Sequence, residues 1–313
     1  DDVFGYAILK IALPIDDEHD EEDLRRTRDP QMIAEARIVW DVGATYDPDR
    51  GRFDHHMPGA PCRPCGTPYS SAGLLWRKYG PRAVLNVIRR TKPPRPLVHE
   101  IADIIDHDLV RLIDMADNGR RLDMSFADPN DRQALEAMTL PGIVAAFNPP
   151  WDADPQNWPR LADRRFIDAA RFVAAFLESR IDAVRADLAA RQAVLDAHAR
   201  SADPRILELP RTMPWAEAAL DAGLPVFYAV YPDAKGTTWM VNATPTAPGS
   251  FEQKLPLPAA WAGLRDAELA RVSGVPDAVF CHLGRFIAGA RSKEGALTMA
   301  RTALAAAPVP LVT

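Results

Sequence analysis

Residues 37–56 read RIVWDVGATYDPDRGRFDHH, and no other stretch limits the fold so strongly. Ile38, Val39 and Trp40 form a short apolar run of the kind that fills a buried strand. The run stops at Asp41, with Val42 and Gly43 behind it. Open α/β sheets gather ligands at the carboxyl ends of their strands, so a carboxylate there is placed for chemistry. Asp54, His55 and His56 follow thirteen residues later. With Asp41 they offer two carboxylates and two imidazoles, a donor set suited to a divalent metal. Adjacent histidines alone read more plainly as the surface of a polar turn. The strand-end Asp41, the turn at Gly43 and the DHH triplet together favour a metal site.

The chain has 313 residues, too many for one core and enough for two domains. A net charge of −6 argues against a large basic nucleic-acid face and leaves room only for a local basic groove. No apolar run reaches membrane-spanning length and no signal peptide is visible, so a cytoplasmic enzyme away from membranes is the expectation. Three cysteines, Cys62, Cys65 and Cys281, are too few for a disulfide framework. The lone C-x-x-C at 62–65 is flanked by Pro58, Pro61 and Pro68, and reads as two loop thiols.

Periodicity predicts a buried or amphipathic helix over 3–13, with Asp1 and Asp2 at its start as capping residues. The acidic run 16–23 reads as a solvated loop, and His19 within it is not expected to bind metal. Residues 24–29 are expected as a short edge strand and 30–36 as a helical turn. After the Pro/Gly-rich loop 57–68, Ser70 or Ser71 caps a helix that Gly80 closes. The positive end of that helix can also hold a phosphate. A second amphipathic helix is expected over 97–116, with Asp103 and Asp106 on its solvated face. It stops at Asp117-Asn118-Gly119, where a carboxylate can point back into a site. Residues 147–151, FNPPW, are expected to cover the first domain's edge or rim a groove.

The longest helical pattern runs over 163–200, with Phe166, Ala170, Val173, Leu177, Ile181, Val184 and Leu188 on one stripe. It is read as a connecting helix, and the stripe as a possible homodimer contact. A second domain then begins near 201. It is expected to hold a strand at 206–209, a hairpin from 225–231 and 237–243, a last strand at 278–282 and a closing helix at 293–306. His282, Arg285, Arg291 and Lys293 surround a glycine-bearing turn and helix start able to bind anionic oxygen.

Asp54-His55-His56 after a strand ending in Asp41 resembles the DHH phosphoesterase superfamily. The flanking text is more specific. RTRDP at 26–30, DVGATYDPDRGRFDHH at 41–56, SSAGLLW at 70–76, DMADNG at 114–119, FNPPW at 147–151, a motif over 248–276 and GRFIAGARSKEGALTMA at 284–300 are similar to the Myg exonuclease family. That family has also been catalogued as metal-dependent protein hydrolases. The resemblance spans nearly the whole chain. It implies an α/β fold: an N-terminal DHH-type domain over 1–162 with a mostly parallel sheet, a connecting helix over 163–200, and a smaller α/β substrate-binding domain over 201–313. It also implies a strand and a histidine-rich loop ahead of Asp1, carrying further ligands.

Carried over residue by residue, the resemblance makes Asp1, Asp41, His55 and Asp117 metal ligands, with Asp41 shared between two ions. Asp54 orients His55, and His56 touches substrate phosphate. Ser70 and Ser71, with His282, Arg285, Arg291 and Lys293, are substrate-binding candidates. The implied chemistry is hydrolysis of RNA or a short oligonucleotide from its 3′ end by two Mn²⁺ ions, with Mg²⁺ as the alternative. The rivals are a small-molecule phosphatase or pyrophosphatase on the same metals, and a non-catalytic metal-binding module.

Overall fold

Apolar side chains at almost every position of 2–12 leave the first helix, α1 (Asp2–Ala12), without a solvent face, and Val3 through Leu9 are all buried. Its chief partner is the later helix α3 (Ser71–Ile88). The two approach so closely that a Cβ on Gly5 would press on Leu75 and the Trp40 indole. The computed structural model describes residues 1–15, 24–91, 95–120 and 129–307. The acidic run 16–23 with His19 lies outside the described residues. Two compact units emerge, Asp1–Arg185 and Ala186–Thr313.

Residues 24–29 form no strand; Asp29 instead caps α2 (Pro30–Glu35), accepting from the Gln31 and Met32 amides. The strand expected before Asp41 is present as β1 (Val39–Trp40). Next come β2 (Tyr46–Asp47) and β3 (Arg52–Phe53), joined by a tight turn in which the Arg50 amide donates to the Asp47 carbonyl. The sheet order is β1-β3-β2, with β1 parallel and β2 antiparallel to β3. The expectation of a mostly parallel sheet is therefore corrected to a small mixed one. A four-residue turn between β2 and β3 can only reverse the chain, whereas a parallel pair needs a long crossover.

Helix α3 begins at the Ser70 cap and does not end at Gly80. It runs through Gly80-Pro81 to Ile88. Pro81 would disfavour a solvent-exposed helix interior by about 3 kcal/mol. Here buried Ala83, Val84 and Ile88 carry the apolar face past it, and Gly80 lies against the Trp76 ring, where no Cβ fits. The expected helix over 97–116 is likewise corrected. It consists of α4 (Arg95–Ile105), a π-helical turn Asp106–Val110, and α5 (Arg111–Asp117). The Arg111 amide donates to the Asp106 carbonyl, five residues back, so one extra residue is wound into the rod.

Short helices α6 (Pro129–Met138) and α7 (Leu140–Ala145) lead to α8 (Trp158–Ala199), 42 residues long. Most of its stripe is covered inside the single chain: Phe166, Ala170, Val173, Leu177, Ile181 and Val184 are buried, and Leu188 is half-buried. The buried part of the stripe that suggested a homodimer serves as core.

The second unit is built on a five-stranded sheet of order β4-β5-β6-β8-β7. Its elements are β4 (Ile206–Glu208), α9 (Ala216–Asp221), β5 (Tyr228–Pro232), β6 (Trp239–Ala243), α10 (Asp266–Ser273), β7 (Ala278–Cys281), β8 (Ile287–Ala290) and α11 (Lys293–Ala305). The β4–β5 pair is parallel and the rest antiparallel, including the expected β5–β6 hairpin. Tyr228, Val230, Val241, Leu257 and Ala288 form the centre of its core. Cys62 and Cys65 are free and exposed, and Cys281 is free and buried. Among the described residues no helix is long and apolar enough to cross a membrane.

Candidate metal centre

Four segments of the first unit deliver acidic or imidazole groups to one place: the start of α1, the end of β1, the chain after β3 and the end of α5. Their convergence depends on the N-terminus of α3. The first turn of a helix has unpaired amides and a partial positive charge, which suits carboxylates. Asp1 uses this directly. Its carboxylate makes no bond to its own helix and instead accepts from the Ser71 amide at 3.1 Å and the Ala72 amide at 2.7 Å. Asp114 sits beside it, fully buried, accepting from the Ser70 amide at 3.0 Å and the Ser70 hydroxyl at 2.7 Å. Gly73 is required here because a Cβ would overlap the Asp114 carboxylate.

Asp41 leaves β1 in the left-handed region, with φ 62°. Aspartate tolerates that conformation better than most residues. Its amide is held by the Ser71 hydroxyl at 2.9 Å, which fixes the turn from the same helix end. Ser70 and Ser71 are thus both buried and both engaged within the fold, in positioning contacts rather than on an open face.

Asp54, only 2 % exposed, organises the histidines. Oδ2 accepts from the Ala44 amide at 2.6 Å. Oδ1 accepts from the His55 and His56 amides at 2.7 and 3.1 Å, and lies 2.8 Å from His56 Nδ1. It orients His55 through the backbone and His56 through its ring. Burial works to raise the Asp54 pKa, but the donors from His56, Ala44 and His55 outweigh it and hold the carboxyl below the ordinary range.

His55 Nε2 then faces Asp41 Oδ1 at 3.4 Å, Asp117 Oδ2 at 3.5 Å and Asp1 Oδ2 at 3.6 Å. It is buried and makes no hydrogen bond. The Asp41 carboxylate, chiefly, holds the His55 pKa above its ordinary value; burial opposes this and Asp117 adds to it. An orphaned imidazole nitrogen surrounded by three carboxylate oxygens fits a metal ion. Donors bound about 2.0–2.2 Å from one ion stand roughly 3–3.6 Å apart. Two overlapping sets have this character, Asp1-His55-Asp117 and Asp41-Asp54-His55-His56. The structure brings all six residues together.

A groove of about 360 Å³ opens beside Asp1 and Asp117, and Phe147, Asn148, Pro149 and Phe166 help wall it. The FNPPW segment does rim a groove, although Trp151 itself is almost wholly exposed.

The four candidates of the second unit separate. His282 and Arg285 occupy the β7–β8 turn, where Arg285 has φ 57° and its amide donates to the His282 carbonyl. Arg291 and Lys293 lie at the other end of β8, facing Asp266 at 4.0 Å and Glu208 at 2.8 Å. The start of α11 already holds a carboxylate, since Asp277 accepts from the Ser292 amide at 2.7 Å. The expected single anion-binding turn is therefore corrected to two separate places, because β8 intervenes.

Sequence reasoning missed Arg63, Asp106 and Asp114. Arg63 is buried and donates to both carboxylates, so Asp106 is not the solvated residue expected. The only signal was Asp114 standing one helical turn before Asp117.

A family model described as an uncharacterised protein family, UPF0160, and labelled as the MYG1 exonuclease family, matches residues 1–304. The chain is 35% identical to the MYG1 exonuclease of Homo sapiens, over 97% of this chain and 83% of that protein. It is 35% identical to the MYG1 exonuclease of Bos taurus, over 99% and 83%. It is 28% identical to the MYG1 protein of Dictyostelium discoideum, over 100% and 95%. No solved structure matches.

Proposed function

The chain belongs to the MYG1 exonuclease family, and we propose that it is a metal-dependent phosphodiesterase that removes nucleotides from the 3′ end of RNA or a short oligonucleotide. The observation that carries this reading is the buried, unbonded His55 Nε2 facing Asp1, Asp41 and Asp117. The names of the relatives support nuclease chemistry. The direction of cleavage and the preference for RNA rest on the resemblance, as does a place in the DHH superfamily.

Asp1, Asp41, His55 and Asp117 are the ligands. A carboxylate-rich set with one imidazole suits Mn²⁺, with Mg²⁺ as the alternative. One imidazole nitrogen has one lone pair, so His55 serves one ion. If two are bound, a carboxylate is shared, and Asp41, which faces both His55 and His56, is the residue placed to share. Bound there, divalent metal lowers the pKa of a water and neutralises phosphoryl oxygens. The chain's own residues do the rest. Asp54 keeps both histidines aimed, and the α3 amides hold Asp1 in place. His56, 59 % exposed, is free to reach a substrate phosphate. In the second unit, His282 and Arg285 are proposed by the resemblance to bind anionic oxygen, at the β7–β8 turn.

The test is Mn²⁺-dependent release of nucleotides from a short RNA, alongside short DNA and pyrophosphate. His55→Ala should abolish it, and unchanged activity would refute the assigned site. Turnover of pyrophosphate with RNA untouched would favour the small-molecule phosphatase reading instead.

A further inference from the structure

The π-turn at Asp106–Val110 sits between two carboxylates that share one guanidinium. In an unbroken α-helix, Asp106 and Asp114 would be turned by about 80° from each other, at about 100° per residue. The extra residue of a π-turn removes about one such step and brings them to within roughly 20° of one line. That alignment lets Arg63 reach both. Nη1 and Nη2 donate to the Asp106 carboxylate at 2.5 and 2.9 Å, and Nε donates to Asp114 Oδ2 at 2.5 Å. The guanidinium also lies over the Tyr69 ring, 4.6 Å from its centroid. Burial works against its charge, but Asp106 and Asp114 outweigh it and hold the guanidinium above its ordinary range.

Asp114 is where this clamp meets the metal centre. Its other oxygen accepts from Ser70 at the start of α3, and the next two amides of that helix hold Asp1. Three residues further along α5, Asp117 faces His55. Rotation of α5 therefore moves Asp117, and loss of the Asp114 contact loosens the helix end that grips Asp1. We infer that Arg63, bridging Asp106 and Asp114 across the π-turn, is a positioning residue for the metal ligands Asp117 and Asp1. This rests on the metal reading given above. A lysine cannot replace it, because one ammonium lacks the planar fork that meets two carboxylates in fixed directions.

The experiment titrates metal-free protein with Mn²⁺, following free Mn²⁺ by electron paramagnetic resonance, with thermal unfolding of the metal-free form measured in parallel. Arg63→Lys is expected to weaken binding about 10- to 100-fold, as loss of a ligand's supporting partner does. Asp106→Asn, at a partly exposed position that leaves the Arg63–Asp114 contact intact, is expected to weaken it less while the protein stays folded. If Arg63→Lys fails to fold, Asp106→Asn decides. Wild-type affinity in the folded variants, with only a lowered unfolding temperature, would overturn the inference and leave Arg63 a stability residue. Wild-type protein that binds no Mn²⁺ would overturn the metal reading itself, and this role with it.

Discussion

His55 presents one ring nitrogen to three carboxylates, and that imbalance of charge sets how the site answers pH. Its pKa is raised in the fold. Protonated His55 therefore stabilises the metal-free protein fully below the ordinary histidine pKa, and that contribution is lost as pH rises through the raised value. Metal requires the neutral ring, so affinity for Mn²⁺ should climb over the same window. Calorimetric titration across the histidine range checks both, with proton release on binding as the signature; affinity independent of pH would remove His55 from the ligand set. Asp41 and His55 were legible in the sequence because one ends a strand two residues before a glycine and the other stands in a charged triplet, whereas Asp117 ended a helix and took its metal role from the family resemblance. Arg63 and Asp114 were not, because their meaning lies in a contact spanning 51 positions. Nothing local separates a buried arginine in a proline-rich loop from a solvated one.

The two helices that open on Ser-x-x-Gly use one device twice. Ser70 caps α3 and Ser292 caps α11, each accepting from the amide of the glycine three residues on. An aspartate from elsewhere, Asp114 or Asp277, takes the serine amide and packs where a glycine Cβ would stand. Only the first of these clamps adjoins the metal centre. Gly73→Ala and Gly295→Ala should each lower stability by about 1–3 kcal/mol through overpacking. Gly73→Ala alone should weaken Mn²⁺ binding. Urea unfolding with metal titration of both variants checks this, and equal effects on metal binding would contradict it. Most helix and strand positions in the second unit were readable from periodicity and turn residues, but β8 was not, because its glycine-bearing stretch read as a turn after a last strand at 278–282. Two features of the first unit were not. The passage of α3 through Gly80-Pro81 is decided by burial against its neighbours. The π-turn is invisible to any pattern that assumes 3.6 residues per turn.

Across the whole molecule, the proposed metal ligands all fall within Asp1–Arg185. Saturating Mn²⁺ should then stabilise that unit selectively, by about 2.7 kcal/mol at a hundred times the dissociation constant. Hydrogen exchange should show new protection in α1, α3 and α5 and none in β5, β6 and β8. Equal protection in both units would place metal elsewhere or couple the two. Presence of an α/β chain with two sheets was legible from alternating patterns. Strand order and direction were not, because β1, β2 and β3 are two residues each and carry too little pattern to fix a neighbour. The wound-in residue between Ile105 and Arg111 has a consequence for the gene as well. Loss of a single codon there, without any shift of reading frame, would let the rod relax to an ordinary helix in which Asp114, now seven steps from Asp106, still lies within roughly 20° of one line with it. Such a chain would keep its acidic claw facing the same way, whereas loss of a second codon would swing Asp114 and Asp117 by about 100°.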